Sequence, residues 1–417
     1  MSNAAGSPPI ETLTTQCCIA GGGPAGMVLG LLLARAGVEV VVLEKHADFL
    51  RDFRGDTIHP STLEVLYELG LLDEFLKRPH QKIQHVRGNF EGFEAQVADF
   101  TTLKTHCQFI ALMPQWDFLD FLAAHARTYP SFHLHMQAEV DDLIEEGGTI
   151  TGVHVNTPQG PLRVKSALTV GADGRGSTVR AKAGLVVEDL GAPIDVLWLR
   201  IARDSSDPEQ LVGRFHRGQA LAMIDRGDYW QCGYIIRKGN ADVVRKQGLP
   251  AFHEKLVEIA PFLAGRIHEL ADWDQVKLLT VKVDRLRTWY RPGLLCIGDA
   301  AHAMSPVGGI GINLAIQDAV ATANILAAPL AANRVTTADL AQVQSRRMFP
   351  TKWTQSLQVF IQNHFLGRVI GQTTAATKPP LPLRMIARFP WLRRIPARVI
   401  GLGIRPEHVQ ISAAKRD

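Results

Sequence analysis

The chain has 417 residues, 46% of them hydrophobic and 21% charged, with 45 Lys and Arg against 41 Asp and Glu. That length exceeds one simple core and predicts two domains, or one large domain carrying an insertion. A net charge of +4, with no contiguous basic stripe in the first 360 residues, argues against nucleic acid as a partner. The five cysteines (Cys17, Cys18, Cys107, Cys232, Cys296) form no CxxC pair and no metal spacing. They predict reduced core thiols and a cytoplasmic protein. The first ten residues are small and polar, without a secretory pattern. The apolar stretch 27–43 is interrupted by Arg35, Gly37 and Glu39, so it is not expected to span a membrane.

The segment 16–44 reads QCCIAGGGPAGMVLGLLLARAGVEVVVLE. Residues 17–20 predict a buried strand, followed by Gly21-x-Gly23-x-x-Gly26 and a Leu- and Ala-rich helix that Gly37 terminates. A second strand over 38–43 ends at Glu44. Gly21 permits a tight turn, and Gly23 lets a diphosphate approach backbone N–H groups at the positive end of the helix. Gly26 allows close packing of helix on strand, and Glu44 stands where a ribose can donate to it. Pro24 and Ala25 within the loop and Lys45 beside Glu44 complete this candidate set. The fingerprint occurs once, so one tightly held dinucleotide is expected.

Two distant segments have matching character. SALTVGADGRGSTVR at 166–180 predicts a strand ending at Gly171-Ala-Asp173-Gly174, then a turn into a helix. LLCIGDA at 294–300 predicts another strand, ending at Gly298-Asp299. It leads through Pro306 and Gly308-Gly309-Ile-Gly311 into a helix whose apolar face carries Ile312, Ala315, Ile316, Ala319, Val320 and Ala323. Pro329 is expected to stop that helix. Its mouth is nearly free of side chains, which suits a flat ring and a phosphate chain lying against unpaired N–H groups.

Taken together, GGGPAG with Glu44, GADGRGSTVR and IGDAAHAMSPVGGIGIN resemble the FAD-dependent aromatic hydroxylases typified by para-hydroxybenzoate hydroxylase. The resemblance covers roughly residues 15 to 360. It implies an α/β FAD-binding Rossmann-like domain with an inserted, mostly antiparallel β-sheet substrate domain and a C-terminal helical region. The corresponding divisions are 14–186 and 288–335 for the FAD-binding parts, 187–287 for the sheet roof, and 336–417 for the helical region and tail. It implies that Gly21, Gly23 and Gly26 approach the FAD diphosphate, that Glu44 holds the adenosine ribose and that Asp299 bonds the ribityl chain. Pro306, Gly309, Gly311, Ile312 and Asn313 would lie along the isoalloxazine. Asp173 belongs to the segment serving both FAD and NAD(P)H. RGDTIHPSTLEVLYELGL at 54–71 would bring Arg54 near the flavin and its diphosphate, with Pro60 opening a helix and Gly70 closing it. Gln115 would contact the cofactor, and Val140 would bond the adenine through its backbone. His59 and His302 flank these motifs and are expected to be structural. NADPH or NADH would reduce the flavin, and O2 would add to give a C4a-hydroperoxide that hydroxylates an aromatic ring. No catalytic base and no metal ligand stands out.

Between these segments, 196–202 and 276–286 alternate, and 219–224 and 229–236 are joined by Asp225-Arg-Gly-Asp228, a hairpin signal. They predict an antiparallel sheet, one face over the flavin and the other carrying a helix near 251–270. Trp198, Phe215, Met223, Trp230 and Tyr234 are candidates to line a substrate pocket, with sheet core as the competing assignment for each. The scarcity of charge in these runs points to an apolar substrate. The tail 365–405 has Arg368, Lys378, Arg384, Arg388, Arg393, Arg394, Arg398 and Arg405 and no acid. Peripheral membrane contact is one reading. A basic wrap on an acidic face of the protein is the favoured one, since five prolines break any long helix. Two rival activities stay open, a flavin-linked reductase of a prenyl or polycyclic compound and a non-catalytic FAD-fold binding protein. A halogenase is rejected, because Trp391-Leu-Arg-Arg-Ile-Pro396 lies at the wrong end of the chain and lacks the second tryptophan.

Overall fold

The strand Glu11–Ala20 runs between Gly160–Gly171 and Val40–Glu44, parallel to both, in the computed structural model, which describes residues 11–50, 57–90, 92–208, 213–366, 370 and 381–413. Phe132–Met136 and Leu294–Cys296 extend this sheet in parallel at its two sides. Val40–Glu44 is buried at every position, which explains its unbroken Val and Leu run: both faces are covered. An antiparallel hairpin, Glu139–Glu146 with Thr149–Thr157, adds to Gly160–Gly171.

The helix Pro24–Arg35 makes the crossover from the first strand to the second and packs against the long helix Gly311–Ala331. Gly37, at φ +78°, follows it in the left-handed conformation expected of a stop. Pro329 does not stop the long helix. It sits in the last turn and removes one ladder bond there, while the Ala332 N–H still reaches the Ala328 carbonyl at 3.2 Å. This helix is long and apolar enough to cross a membrane, but it is largely buried inside the protein.

The roof is a seven-stranded sheet in the order Lys277–Leu279, Ile194–Ala202, Tyr229–Arg237, Gln219–Asp225, Gly213–His216, His85–Phe90, Phe93–Asp99. The last two strands come from the segment before the inserted region. Of the alternating run 276–286, only Lys277–Leu279 joins the roof. Asp284–Leu286 pairs instead with Val187–Asp189 and His302–Ala303.

Directly opposed residues in an antiparallel ladder share a face, and the pleat alternates faces along each strand. Leu197 opposes Tyr234 and Met223 opposes Cys232, and these residues pack with Trp230 on the helix Leu249–Ile259 through Phe252 and Leu256. Met223, Trp230 and Tyr234 are therefore helix-side core, not pocket lining. Trp230 also donates its indole N–H to Asp207 at 2.7 Å. Trp198 opposes Gly233 on the other face, and Phe215 opposes Ala220. Both pack against the cluster of Ile194, Val196, Val281 and Val283, as does Val307 from the turn that precedes the long helix.

The C-terminal region opens with Thr337–Ile361, whose Thr336 and Asp339 form a reciprocal capping box. The helices Leu381–Arg388 and Arg394–Gly401 follow. Their contacts are apolar: Leu383 packs with Phe90 and Ala95, and Ala397 with Ala98, Phe100 and Leu103. The expected packing on an acidic face is not what holds this segment. Small inward residues seat it on apolar side chains, and the arginines point elsewhere.

Candidate active site

The glycine loop has the geometry its spacing requires. Gly21 adopts φ +110°, and a side-chain carbon there would lie 2.4 Å from the Ala172 carbonyl oxygen. A carbon on Gly26 would stand 1.9 Å from the Gly21 carbonyl oxygen. Gly23 differs: nothing lies within 4 Å of where its side chain would be. The helix Pro24–Arg35 begins there with no side-chain cap and no acid in its first turn. Uncapped N–H groups around an open backbone are the features an anionic diphosphate needs. Glu44 is buried at the strand end, where Oε2 accepts the Gly22 N–H at 3.0 Å and Oε1 the His46 N–H at 3.1 Å. The His46 ring Nδ1 also stands 2.9 Å from Oε1. Lys45, next in sequence, is exposed.

The other two motifs converge on this loop. The Gly21 turn abuts Ala172, and a carbon on Gly298 would touch Ala25 at 3.2 Å and Ala315 at 3.1 Å. Arg175 Nε pairs with Asp299 Oδ2 at 3.0 Å, joining the second motif to the third. Arg180 reinforces the junction by donating to the carbonyls of Arg175 and Ala300 at 2.5 and 3.3 Å. Asp173 accepts the Val179 N–H at 3.1 Å, while its Oδ1 is buried without a partner. Burial raises its carboxyl above the ordinary value, against the opposing hydrogen bond from Ser177.

Asn313 ties the mouth of the long helix to the 57–62 segment. Its Oδ1 accepts from the His59 N–H at 3.0 Å and the Thr62 hydroxyl at 2.7 Å, and its Nδ2 donates to the Thr57 carbonyl at 3.2 Å. The side chain is thus committed to protein groups. Gly309 adopts φ +62° and approaches Thr57 so closely that a side-chain carbon would lie 2.7 Å from its hydroxyl. Pro306 caps the turn before it, and Gly311 and Ile312 open the helix half-buried, with no acid in the first turn. His59 is wholly buried. Its Nδ1 bonds the Ile400 carbonyl at 2.7 Å, so Nδ1 carries the proton and Nε2 is left as an unpartnered acceptor. Gln115 is buried at the first position of Gln115–Ala126. Val140 is buried in the ladder opposite Val155. Arg54 lies outside the described residues.

Sequence reasoning missed the charge cluster behind the third motif. Asp318, on the long helix, accepts the Gly298 N–H at 3.1 Å, His302 Nε2 at 2.5 Å and Arg347 Nε at 2.8 Å. Burial alone would raise the Asp318 carboxyl, but His302 and Arg347 together hold it below the usual carboxylate range. Arg347 continues to Glu407 at 3.3 Å, and Arg346 pairs with the same carboxylate at 2.7 Å. The signal was present: one acid in an otherwise apolar helix has to be paired.

The residues described fit a dinucleotide carrying a large flat ring, and comparison with known proteins agrees. The FAD binding domain family matches residues 14–356. The chain is 31% identical over 394 residues to 6-methylpretetramide 4-monooxygenase from Streptomyces rimosus, covering 94% of this chain and 93% of that one. It is 24% identical over 340 residues to para-nitrophenol 4-monooxygenase from a Pseudomonas species, covering 79% and 82%. Its fold matches the solved anhydrotetracycline hydroxylase from Streptomyces rimosus with a TM-score of 0.75 at 24% identity, over 94% of this chain and 77% of that one. Fold and site define a flavoprotein with FAD as its cofactor. The chain belongs to the family of FAD-dependent aromatic monooxygenases, oxidoreductases that draw electrons from NAD(P)H.

Proposed function

We propose that this enzyme hydroxylates a ring of an apolar, fused-ring phenol, in the manner named for its relative that acts on 6-methylpretetramide. The observation that carries this reading is the match along nearly the whole of both chains. The uncharged centre of the roof's inner face, with Trp198, Ala220, Ala222, Gly233, Ile235 and Phe215, supports it.

When bound, FAD supplies hydride uptake from NADPH or NADH and the activation of O2. The chain's residues bind, orient and exclude water. Gly21 and Gly23 leave room for the diphosphate, and the N–H groups of Ala25 and Gly26 meet it; Pro24, lacking an N–H, starts the helix at no cost. Glu44 and Lys45 would flank the adenosine ribose, the backbone of Val140 would meet the adenine, and Gln115 would contact the cofactor. Asp299 would accept from the ribityl hydroxyls, and Arg175, 3.0 Å away, aims its carboxylate. Pro306, Gly309, Gly311 and Ile312 border the ring, and Asn313 contributes its backbone while its side chain sets the loop. The N-terminus of Gly311–Ala331 favours negative charge at the ring edge it faces. Asp173 supports the turn that carries Arg175. Trp198 and Phe215 hold the substrate ring and keep the site dry.

The test is anaerobic reduction of the purified flavoprotein by NADPH and by NADH, with and without a fused-ring phenol. Flavin absorbance should bleach, and faster with the phenol present. Bound flavin that neither nucleotide bleaches would overturn the reading.

A further inference from the structure

The segment 381–401 has a surface that the monooxygenase reaction does not use. Leu381, Met385, Phe389, Trp391 and Ile395 are all exposed, Trp391 to 61%. Among them stand five arginines, Arg384, Arg388, Arg393, Arg394 and Arg398, and no acid. Among the described residues no carboxylate pairs with any of the five. Arginine is the most readily paired cation in proteins, so five without a carboxylate beside exposed rings and aliphatic side chains call for an explanation.

The geometry makes these residues one surface. Leu381–Arg388 packs on Ala95 and Arg394–Gly401 on Ala98 of the strand Phe93–Asp99; these oppose Gly88 and Val86, two residues apart and so on one face, and the helices' outward sides therefore face the same way. Their inward sides are occupied by Leu383, Ala397 and Gly401. A carbon on Gly401 would lie 2.9 Å from Leu103, which shows how closely the second helix is seated. Arg393 fixes one helix to the other by donating to the carbonyls of Ile386 and Ala387 at 3.4 and 3.2 Å. The prolines that break a long helix here do not break the surface. They fold it into two short helices with a common outer side.

We infer that this surface docks the enzyme on an anionic lipid bilayer. Charge complementarity selects the occupant: the exposed Arg384, Arg388, Arg394 and Arg398 meet lipid headgroups, while Trp391, Phe389 and their aliphatic neighbours enter the boundary between headgroup and acyl chain. An acidic protein partner would satisfy the charges but leave five scattered apolar side chains to be matched individually. The first docking helix also packs on the cluster of Phe90 and Phe215, at the edge of the roof's inner face. Docking would therefore set the substrate side of the roof against the membrane, where an apolar substrate concentrates. That last link rests on the proposed substrate class; the docking itself does not.

The experiment is co-sedimentation of the FAD-loaded full chain with vesicles of phosphatidylcholine alone and of phosphatidylcholine mixed with phosphatidylglycerol. Binding is expected to the mixed vesicles only and to weaken with salt. R388Q and R394Q should each lower the partition coefficient roughly 5-fold, near the contribution of one basic residue at an anionic surface. W391S should lower it too, with its flavin spectrum unchanged as a check on folding. Equal binding to both vesicle types, or binding that all three variants leave intact, would overturn the inference. So would failure to bind vesicles combined with arginine-dependent retention on immobilised polyglutamate, which would assign the surface to an acidic protein. No turnover is measured, so this result stands or falls separately from the proposed hydroxylation.

Discussion

The carboxylate of Asp318 stands 2.8 Å from Nε of Arg347, and neither side chain is exposed to solvent. Asp318 also holds the Gly298 N–H, so this pair braces the turn that presents Asp299. Taking two charges out of water is costly, and the pair survives because each has further partners. Removing one partner strands the other. R347A is expected to lose about 3–5 kcal/mol of folding stability, read from the denaturant midpoint and slope. A loss below about 1 kcal/mol would mean that water or a neighbour rescues Asp318.

Burial pushes the His59 imidazole down to about 4, opposed in part by its bond to the Ile400 carbonyl. An unfolded histidine titrates near 6.5. Between those two values the unfolded chain takes up a proton that the folded chain refuses, so stability is full above about pH 6.5 and falls as the pH drops toward 4. The slope from this one group reaches about 1.4 kcal/mol per pH unit. H59N should flatten the fall in that window relative to the parent enzyme. Parallel curves for parent and variant would show that His59 is not the group responsible.

Gly23 and Gly26 separate binding from folding. G26A drives a carbon against the Gly21 carbonyl, so the loop cannot close and the variant should be destabilised with little flavin retained. G23A meets no protein atom and keeps an ordinary extended backbone, so the apoprotein's thermal midpoint should not move. Its new methyl group occupies the approach to the backbone, and the FAD dissociation constant should rise on the order of tenfold, about 1.4 kcal/mol. Flavin titration of both apoproteins checks this, and unchanged affinity in G23A would place the diphosphate elsewhere.

The two faces of the roof predict opposite phenotypes. M223A leaves a cavity in the helix-side core and should cost about 2–5 kcal/mol of stability with KM unchanged. W198A removes a half-buried ring from the inner face and should raise KM for the aromatic substrate, with a smaller stability loss. Steady-state kinetics beside thermal melts of the two variants would expose an inverted assignment at once.

The sequence by itself determined the cofactor half of this protein. Gly21, Gly23, Gly26 and Glu44 are legible because backbone conformation and close approach restrict residue type locally, and a fixed spacing records that restriction. The same holds for Gly37 and Gly70 as helix stops and for Pro60 as a helix start. Only the tertiary structure decided which face of the roof each residue lies on. Trp230 and Trp198 have the same composition signal, but a pleat alternates with every residue, and the face is set by pairing Trp198 with Gly233 rather than by either side chain. It also decided that Asn313 spends its side chain on Thr57, His59 and Thr62, that Asp299 meets Arg175, and that Asp318 reaches Arg347 and, through it, Glu407. Those partners are separated by up to 256 residues, and nothing local to one of them restricts the identity of the other. The tail shows the same division: its arginines and apolar residues are plain in the sequence, but the common outer side they share exists only because both helices sit on one strand.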